Sequence, residues 1–461
     1  MSNDSSVGRV VRELRSLAET GSPGDQLPST RSLVTRLQVS PVTVSQATAS
    51  LVAAGVLTSV PGRGVFIAPR STRHTHDFAW QSVTLGSQML DVQPIRALQT
   101  DADPSVRNLN SGYISADLQP RRELMAAATR ALRRPSGWST APPEGIHELR
   151  QLFAADLGTD TADVLITPGT QAALNSAFRS LASPGQTVLL EEPTYPGAIV
   201  AARAAGLQIT PVPTDRDGLR PALLRSALAA TGARVVLTQP AFANPTGHTL
   251  AATRRAEVLD AVAAAGAFLI EDDWARDLAL DAPAPPPLFR DDRDGHVIYL
   301  RSLTKSASPS MRVGAVAARG PVRERLVDSR LAEDLFVPRP LQEIAIELLS
   351  SPAWPRHLRR LHAQLRGRRD ALVSALHQQV PQITVDSVPQ GGSHLWARVA
   401  TSLSETELVA AAHAAGMVIG PGTQFHTGEV AGLQLRLSFG AAPQDELRAG
   451  AGLLARLLAD G

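Results

Sequence analysis

Lys305 is the only lysine in a chain with 45 lysine and arginine residues, so every other one is an arginine. Arginine can take over surface charge, ion pairs and phosphate contacts from lysine. It cannot condense with a carbonyl, because its guanidinium is delocalised and stays protonated. A chain so biased towards arginine keeps lysine where a primary amine is needed, which makes Lys305 the candidate catalytic residue and imine formation its chemistry. Two further features suit such a site. The turn Pro168-Gly169-Thr170-Gln171 stands between a strand-like run and a helical one, and free amides at a helix start favour a phosphate. Glu271-Asp272-Asp273 ends a strand, and strand alternation turns Asp272 and Asp273 to opposite sides.

Stepping along the chain gives the elements that must hold these residues. Short apolar runs at Val164–Thr167, Thr187–Glu191, Val235–Gln239, Phe268–Glu271 and Val297–Leu300 read as strands buried on both faces. Helical stretches such as Thr253–Ala265 separate them, which predicts an α/β main domain with a mostly parallel sheet and flanking helices. Before it, Val7, Val10, Val11, Leu14 and Leu17 recur at helical spacing. A second helix is capped by Ser29 or Thr30. A third starts at Ser40 with Pro41 in its first turn and turns Val44, Ala47, Leu51 and Val52 inward. Val56–Ala68 reads as two short strands around Pro61-Gly62-Arg63-Gly64. The expected domains are therefore 1–69, a linker and entry arm over 70–107, and 108–461, the last with a small α+β subdomain from about 325.

With 43% hydrophobic and 19% charged residues the composition is that of a globular protein. Cysteine is absent, which excludes disulfides and thiolate metal sites; no metal is expected. No signal peptide and no membrane-spanning run is recognisable, so the expected location is cytoplasmic.

Leu27-Pro28-Ser29-Thr30-Arg31-Ser32-Leu33, Val39-Ser40-Pro41-Val42-Thr43-Val44, Gly55-Val56-Leu57 and Gly62-Arg63-Gly64-Val65-Phe66 resemble the GntR family of winged helix-turn-helix domains. The resemblance implies a double-stranded DNA operator as partner, with Ser29, Arg31, Thr43, Ser45, Gln46 and Arg63 as candidate contacts. A helix that starts with short polar residues can enter the major groove by that end. Residues 1–70 hold seven arginines against four acids, a modest basic bias. Pro41 and Ser45 stand where many relatives carry DNA-touching arginines, which lowers the expected number of phosphate contacts.

The segment Ser302-Leu303-Thr304-Lys305 through Arg312-Val313-Gly314 resembles the Schiff-base segment of fold-type I aminotransferases, which bind pyridoxal 5'-phosphate (PLP) through a lysine. The resemblance implies that Ser302 and Arg312 hold the cofactor phosphate together with Gly169, Thr170 and Gln171. It implies that Tyr195, in Glu192-Pro193-Thr194-Tyr195-Pro196-Gly197, stacks on the pyridine. Asn244, in Asn244-Pro245-Thr246-Gly247 and entering an expected cis bond, would bond the ring hydroxyl. Asp272 would keep the ring nitrogen protonated, and Arg436, in Leu433–Phe439, would clamp a substrate carboxylate.

A GntR-like head on an aminotransferase-like body is the layout of the MocR-type transcription regulators. It implies a homodimer whose Lys305-bound PLP senses an amine or amino acid, or PLP itself. Two departures bear on activity: Trp274 and Ala275 follow Asp272 where relatives place a tyrosine, and Thr140 stands where relatives contribute another across the dimer. They leave cofactor binding in place and favour sensing over sustained transamination. The alternatives are a working aminotransferase with a vestigial head and a PLP-free effector scaffold.

Overall fold

A computed structural model describes residues 6–69, 78–85, 91–98 and 106–459. Two compact units divide the chain, Met1–Gln88 and Met89–Gly461. In the first, helices Ser6–Thr20, Thr30–Leu37 and Pro41–Ala53 precede a hairpin of Leu57–Val60 and Gly64–Ile67. Their apolar stripes meet in one small core of Val10, Leu14, Leu33, Val44, Ala47, Leu51, Leu57 and Ile67. Ser29 caps the second helix by accepting the Ser32 N–H (3.2 Å), and Ser40 caps the third by accepting the Thr43 N–H (3.1 Å). Each cap satisfies an amide that the first helical turn leaves without a partner. Pro41 follows Ser40 at the first helical position, where a missing N–H costs nothing. The hairpin is antiparallel, with Leu57 opposite Ile67 and Val60 opposite Gly64.

Of the stretch read as linker and entry arm, residues 70–77, 86–90 and 99–105 lie outside the described residues. The remainder holds two short helices, Ala79–Leu85 and Gln93–Leu98, which the polar, weakly patterned sequence there does not announce.

The second unit is built on an eight-stranded sheet. Its order is Val164–Thr167, Gly314–Ala317, Val297–Ser302, Phe268–Asp272, Val235–Thr238, Thr187–Glu192, Gln208–Asp215 and Gly218–Leu219. The run from Val297–Ser302 to Gln208–Asp215 is parallel, while Gly314–Ala317 pairs antiparallel with both its neighbours. Five strands are buried at every residue, as expected for a sheet covered on both faces. Helices close it into two cores, one over Leu189, Val236, Leu269 and Tyr299, the other over Leu190, Leu237, Ile270 and Ile298.

A smaller antiparallel sheet follows, ordered Ile383–Thr384, His394–Val399, Leu433–Ser438 and Gly420–Pro421. The helices Ala353–Gln379, Glu405–Ala414 and Gln444–Ala459 cover it. Its core also takes in Leu109, Ile114 and Leu118, so chain from before the large sheet is shared with the small layer. Along the helix Ala353–Gln379, Trp354 packs with the large sheet and Leu361 with the small one. Among the described residues, no helix is long and apolar enough to cross a membrane, and no group of histidine and acidic residues could hold a metal ion.

Candidate functional site

Of the ten body residues singled out from the sequence, nine line one cavity of about 380 Å³: Thr170, Gln171, Tyr195, Asn244, Asp272, Ser302, Lys305, Arg312 and Arg436. The tenth, Gly169, lies behind Arg312. It adopts φ +93°, and a Cβ there would stand 3.1 Å from the Arg312 guanidinium, so only glycine fits without displacing that cation. The cavity opens where the parallel strands end, the usual ligand position in open α/β sheets.

Lys305 is held by a tight turn. Ser302 Oγ accepts the Thr304 N–H (3.1 Å) and donates to Thr304 Oγ1 (2.7 Å), while the Leu303 N–H donates to the Val313 carbonyl (3.0 Å). The Lys305 Nζ donates to the Gly112 carbonyl (2.7 Å) and stands 4.3 Å from the centre of the Tyr113 ring. Burial, then the Arg436 cation, pull its pKa down to about 7, with Arg312 adding to them and Asp272 opposing. A buried amine beside other cations is less able to hold its proton, and the free base is the nucleophile.

Asp272 ends a central strand with its carboxylate in the cavity and only 2% of the residue exposed. Its Oδ2 accepts from Gln239 Nε2 (2.7 Å), whereas Oδ1 has no hydrogen-bond partner among the described residues. Burial raises its pKa to about 6 against the Gln239 bond. Asp273 turns the other way, accepting from the Tyr299 hydroxyl (2.9 Å) with Arg276 at 3.7 Å, as strand alternation requires. Gln239 also accepts the Asn244 N–H (2.8 Å) through Oε1. One amide thus ties the carboxylate to the turn that carries Asn244, which enters Pro245 through a cis bond.

Arg436 is fully buried. It donates to the Asn110 carbonyl (2.6 Å) and to Asn244 Oδ1 (3.2 Å), its face lies 5.0 Å from the Phe425 ring, and its Nε is unpartnered. Every acceptor it meets is neutral, and burial pulls its pKa down to about 9. A buried guanidinium held by neutral acceptors alone keeps its charge uncompensated, and an anion presented through the cavity would compensate it. On the opposite side, Arg312 donates to the Pro168 carbonyl (2.6 Å) next to the start of the helix Thr170–Leu181. The guanidinium and the free amides of that first turn form a cradle suited to a phosphate.

These features fit a phosphorylated pyridine aldehyde: an amine for the aldehyde, a cationic cradle for the phosphate, and in Asp272 Oδ1 a buried acceptor for a ring N–H. Several lining residues escape a reading of the sequence. Gly112, Tyr113, Gln239, Thr304, His394 and Ile95 also face the cavity, Ile95 from a stretch read as linker. Tyr113 carried one signal, being one of only three tyrosines. Trp274 lines the cavity as well, but its Nε1–H is spent on the Phe242 carbonyl (3.1 Å).

In the amino-terminal unit, Arg31, Ser45, Gln46 and Arg63 are exposed. Ser29 and Thr43 also serve the fold, Ser29 as a helix cap and Thr43 through a 2.9 Å contact with the Ser40 hydroxyl.

Residues 104–452 match the family described as aminotransferase class I and II, and residues 8–67 match the bacterial regulatory proteins of the gntR family. The chain belongs to the aminotransferase class I and II family, and the gntR-family head gives it the layout of MocR-type regulators. It is 29% identical to the HTH-type transcriptional regulator YdfD of Bacillus subtilis, over 93% of this chain and 90% of that one. It is 28% identical to the HTH-type transcriptional regulator YdcR of Escherichia coli, over 91% and 92%. Both shares are too large to leave out the amino-terminal unit. The fold resembles that of LysN, the alpha-aminoadipate aminotransferase of Thermus thermophilus, solved with N-(5'-phosphopyridoxyl)-L-leucine (TM-score 0.76, 30% identity, 80% of this chain and 95% of that one).

Proposed function

We propose that the chain is a PLP-dependent transcription regulator that senses an amine or amino acid at Lys305 and binds a double-stranded DNA operator through its amino-terminal unit. The observation that carries this reading is one cavity in which the chain's only lysine faces a buried guanidinium that has no carboxylate partner among the described residues. PLP, when bound, supplies an aldehyde for amines and a ring that draws electrons from the attached carbon.

The chain's own residues do the rest. Arg312, Ser302, Thr170, Gln171 and the turn at Gly169 would hold the phosphate, Tyr195 the ring face, and Asn244 the ring hydroxyl. Asp272, a stronger base than an ordinary carboxylate because it is buried, would keep a proton at the ring nitrogen. Lys305, with its pKa lowered to about 7 so that a substantial share is free base at neutral pH, offers the amine, and an incoming amino acid competes for its place with its carboxylate on Arg436. That exchange alters operator affinity, which Ser29, Arg31, Thr43, Ser45, Gln46 and Arg63 supply. The assembly is a homodimer, the usual state of the aminotransferase fold, and Met125, Trp138 and Leu335, which are 71%, 75% and 61% exposed in the single chain, are candidates for its interface. An operator is a cytoplasmic target, so this reading assigns the protein to the cytoplasm.

A second reading, sustained transamination, draws on the same cavity and on the likeness to LysN. The spent Trp274 N–H disfavours it, because Trp274 and Ala275 supply no hydroxyl where relatives place a tyrosine after Asp272. Binding to DNA from upstream of the chain's own gene, measured with and without PLP and a panel of amino acids, separates the two readings. Sequence-specific binding that an amino acid shifts, without keto-acid turnover, is the expected result. Fast turnover with no specific DNA binding would reverse the order.

A further inference from the structure

In the small sheet, His394 pairs with Ser438 and Trp396 with Arg436. Directly paired and alternate residues share a face. His394 therefore stands one diagonal step from Arg436 on the same side, and both line the cavity. Only 4% of His394 is exposed, and its ring stacks on Trp274 with centroids 5.6 Å apart and 17° between the planes. Among the described residues its Nδ1 has no hydrogen-bond partner, and its Nε2 meets only the Ser393 hydroxyl, at 3.3 Å.

The surroundings hold the ring in place. Trp274 is anchored through its N–H on Phe242. The strand approaches both rings through Gly391 and Gly392, where a Cβ at 391 would strike the Phe242 ring at 2.5 Å. Burial, then the Arg436 and Lys305 cations, keep the imidazole neutral, so it presents one donor and one acceptor. The neighbouring polar groups already have tasks in the proposed complex: Arg436 on a carboxylate, Lys305 and Asp272 on the cofactor. The unpartnered nitrogen beside the clamp is left for the rest of the gripped molecule.

We infer that His394 reads the side chain of the effector, selecting amino acids whose side chain ends in a hydrogen-bonding group over aliphatic ones of equal length. This rests on the roles proposed above for Lys305 and Arg436. An aliphatic end would leave the buried nitrogen unpartnered in the complex. Such a mismatch is what lets a polar pocket reject an analogue that lacks the matching group.

The test uses the full-length protein loaded with PLP, titrated with L-glutamine and with L-norleucine, side chains of the same length, while the visible absorbance of the lysine-bound cofactor is followed. Wild type should respond to glutamine at a concentration at least about tenfold lower than to norleucine. His394→Phe should keep the cofactor band, which shows that it folds, and bring the two concentrations together. His394→Asn should retain a preference for glutamine. Equal responses in wild type, or an unchanged preference in His394→Phe, would overturn the inference and leave the cofactor reading intact. Absence of the band in wild type would overturn both.

Discussion

The two units place the groups proposed to act in them in opposite environments. In the head, Arg31, Ser45, Gln46 and Arg63 are exposed to solvent. In the body, Arg436 and Asp272 are buried and Lys305 nearly so, with atoms whose hydrogen-bonding capacity the protein does not fill. Exposed cations contribute many weak contacts that salt screens. Buried groups contribute few contacts, each strong, and salt reaches them little. The contrast suits a regulator: a head whose grip on DNA is adjustable, and a body that is selective for one small molecule.

The largest separable effect falls on the clamp. Arg436→Gln should weaken the response to amino acids roughly 100-fold, the scale of a lost charge-assisted hydrogen bond. It should leave amines without a carboxylate, and operator binding in the absence of effector, unchanged. Spectral titration against both ligand types reads this, and equal loss for both would remove Arg436 from the clamp. A smaller effect follows from the lowered pKa of Lys305. Its free-amine fraction rises with pH until it levels off above about 7. Uptake of PLP by the apo protein should therefore quicken about tenfold between roughly pH 6 and pH 8 and then flatten. An uptake rate still climbing tenfold per pH unit near pH 9 would show an ordinary, solvated lysine. The smallest effect belongs to the head. Arg31→Ala and Arg63→Ala should each reduce the slope of log affinity against log salt by about 1. Neither should change the response of the cofactor band to amino acids; a changed band and an unchanged slope would reverse the division between the units.

Legibility in the sequence follows the same divide between local and distant causes. Ser29, Ser40 and Pro41 mark helix starts through bonds to residues within one turn, and the hairpin follows from glycines at its own tip. The buried strands announce themselves as apolar runs. In the body, the residues proposed to face the cofactor are legible because each sits in a short motif near a strand end. Gly112, Gln239 and His394 belong to no such motif. Gly112 meets Lys305 across 193 residues of chain, Gln239 matters only because Asp272 lies on the neighbouring strand, and His394 acquires its role by stacking on Trp274. The two short helices before the body lack a strong apolar stripe, so periodicity passes over them.

Attachment of the cofactor to Lys305 is tested directly by reduction of the PLP-loaded protein with borohydride, followed by peptide mapping. Wild type should show a visible absorbance band that reduction abolishes, leaving a pyridoxyl group on the one lysine-containing peptide, and Lys305→Ala should show neither band nor label. A wild-type protein that takes up no PLP, or a band that survives Lys305→Ala, would contradict it.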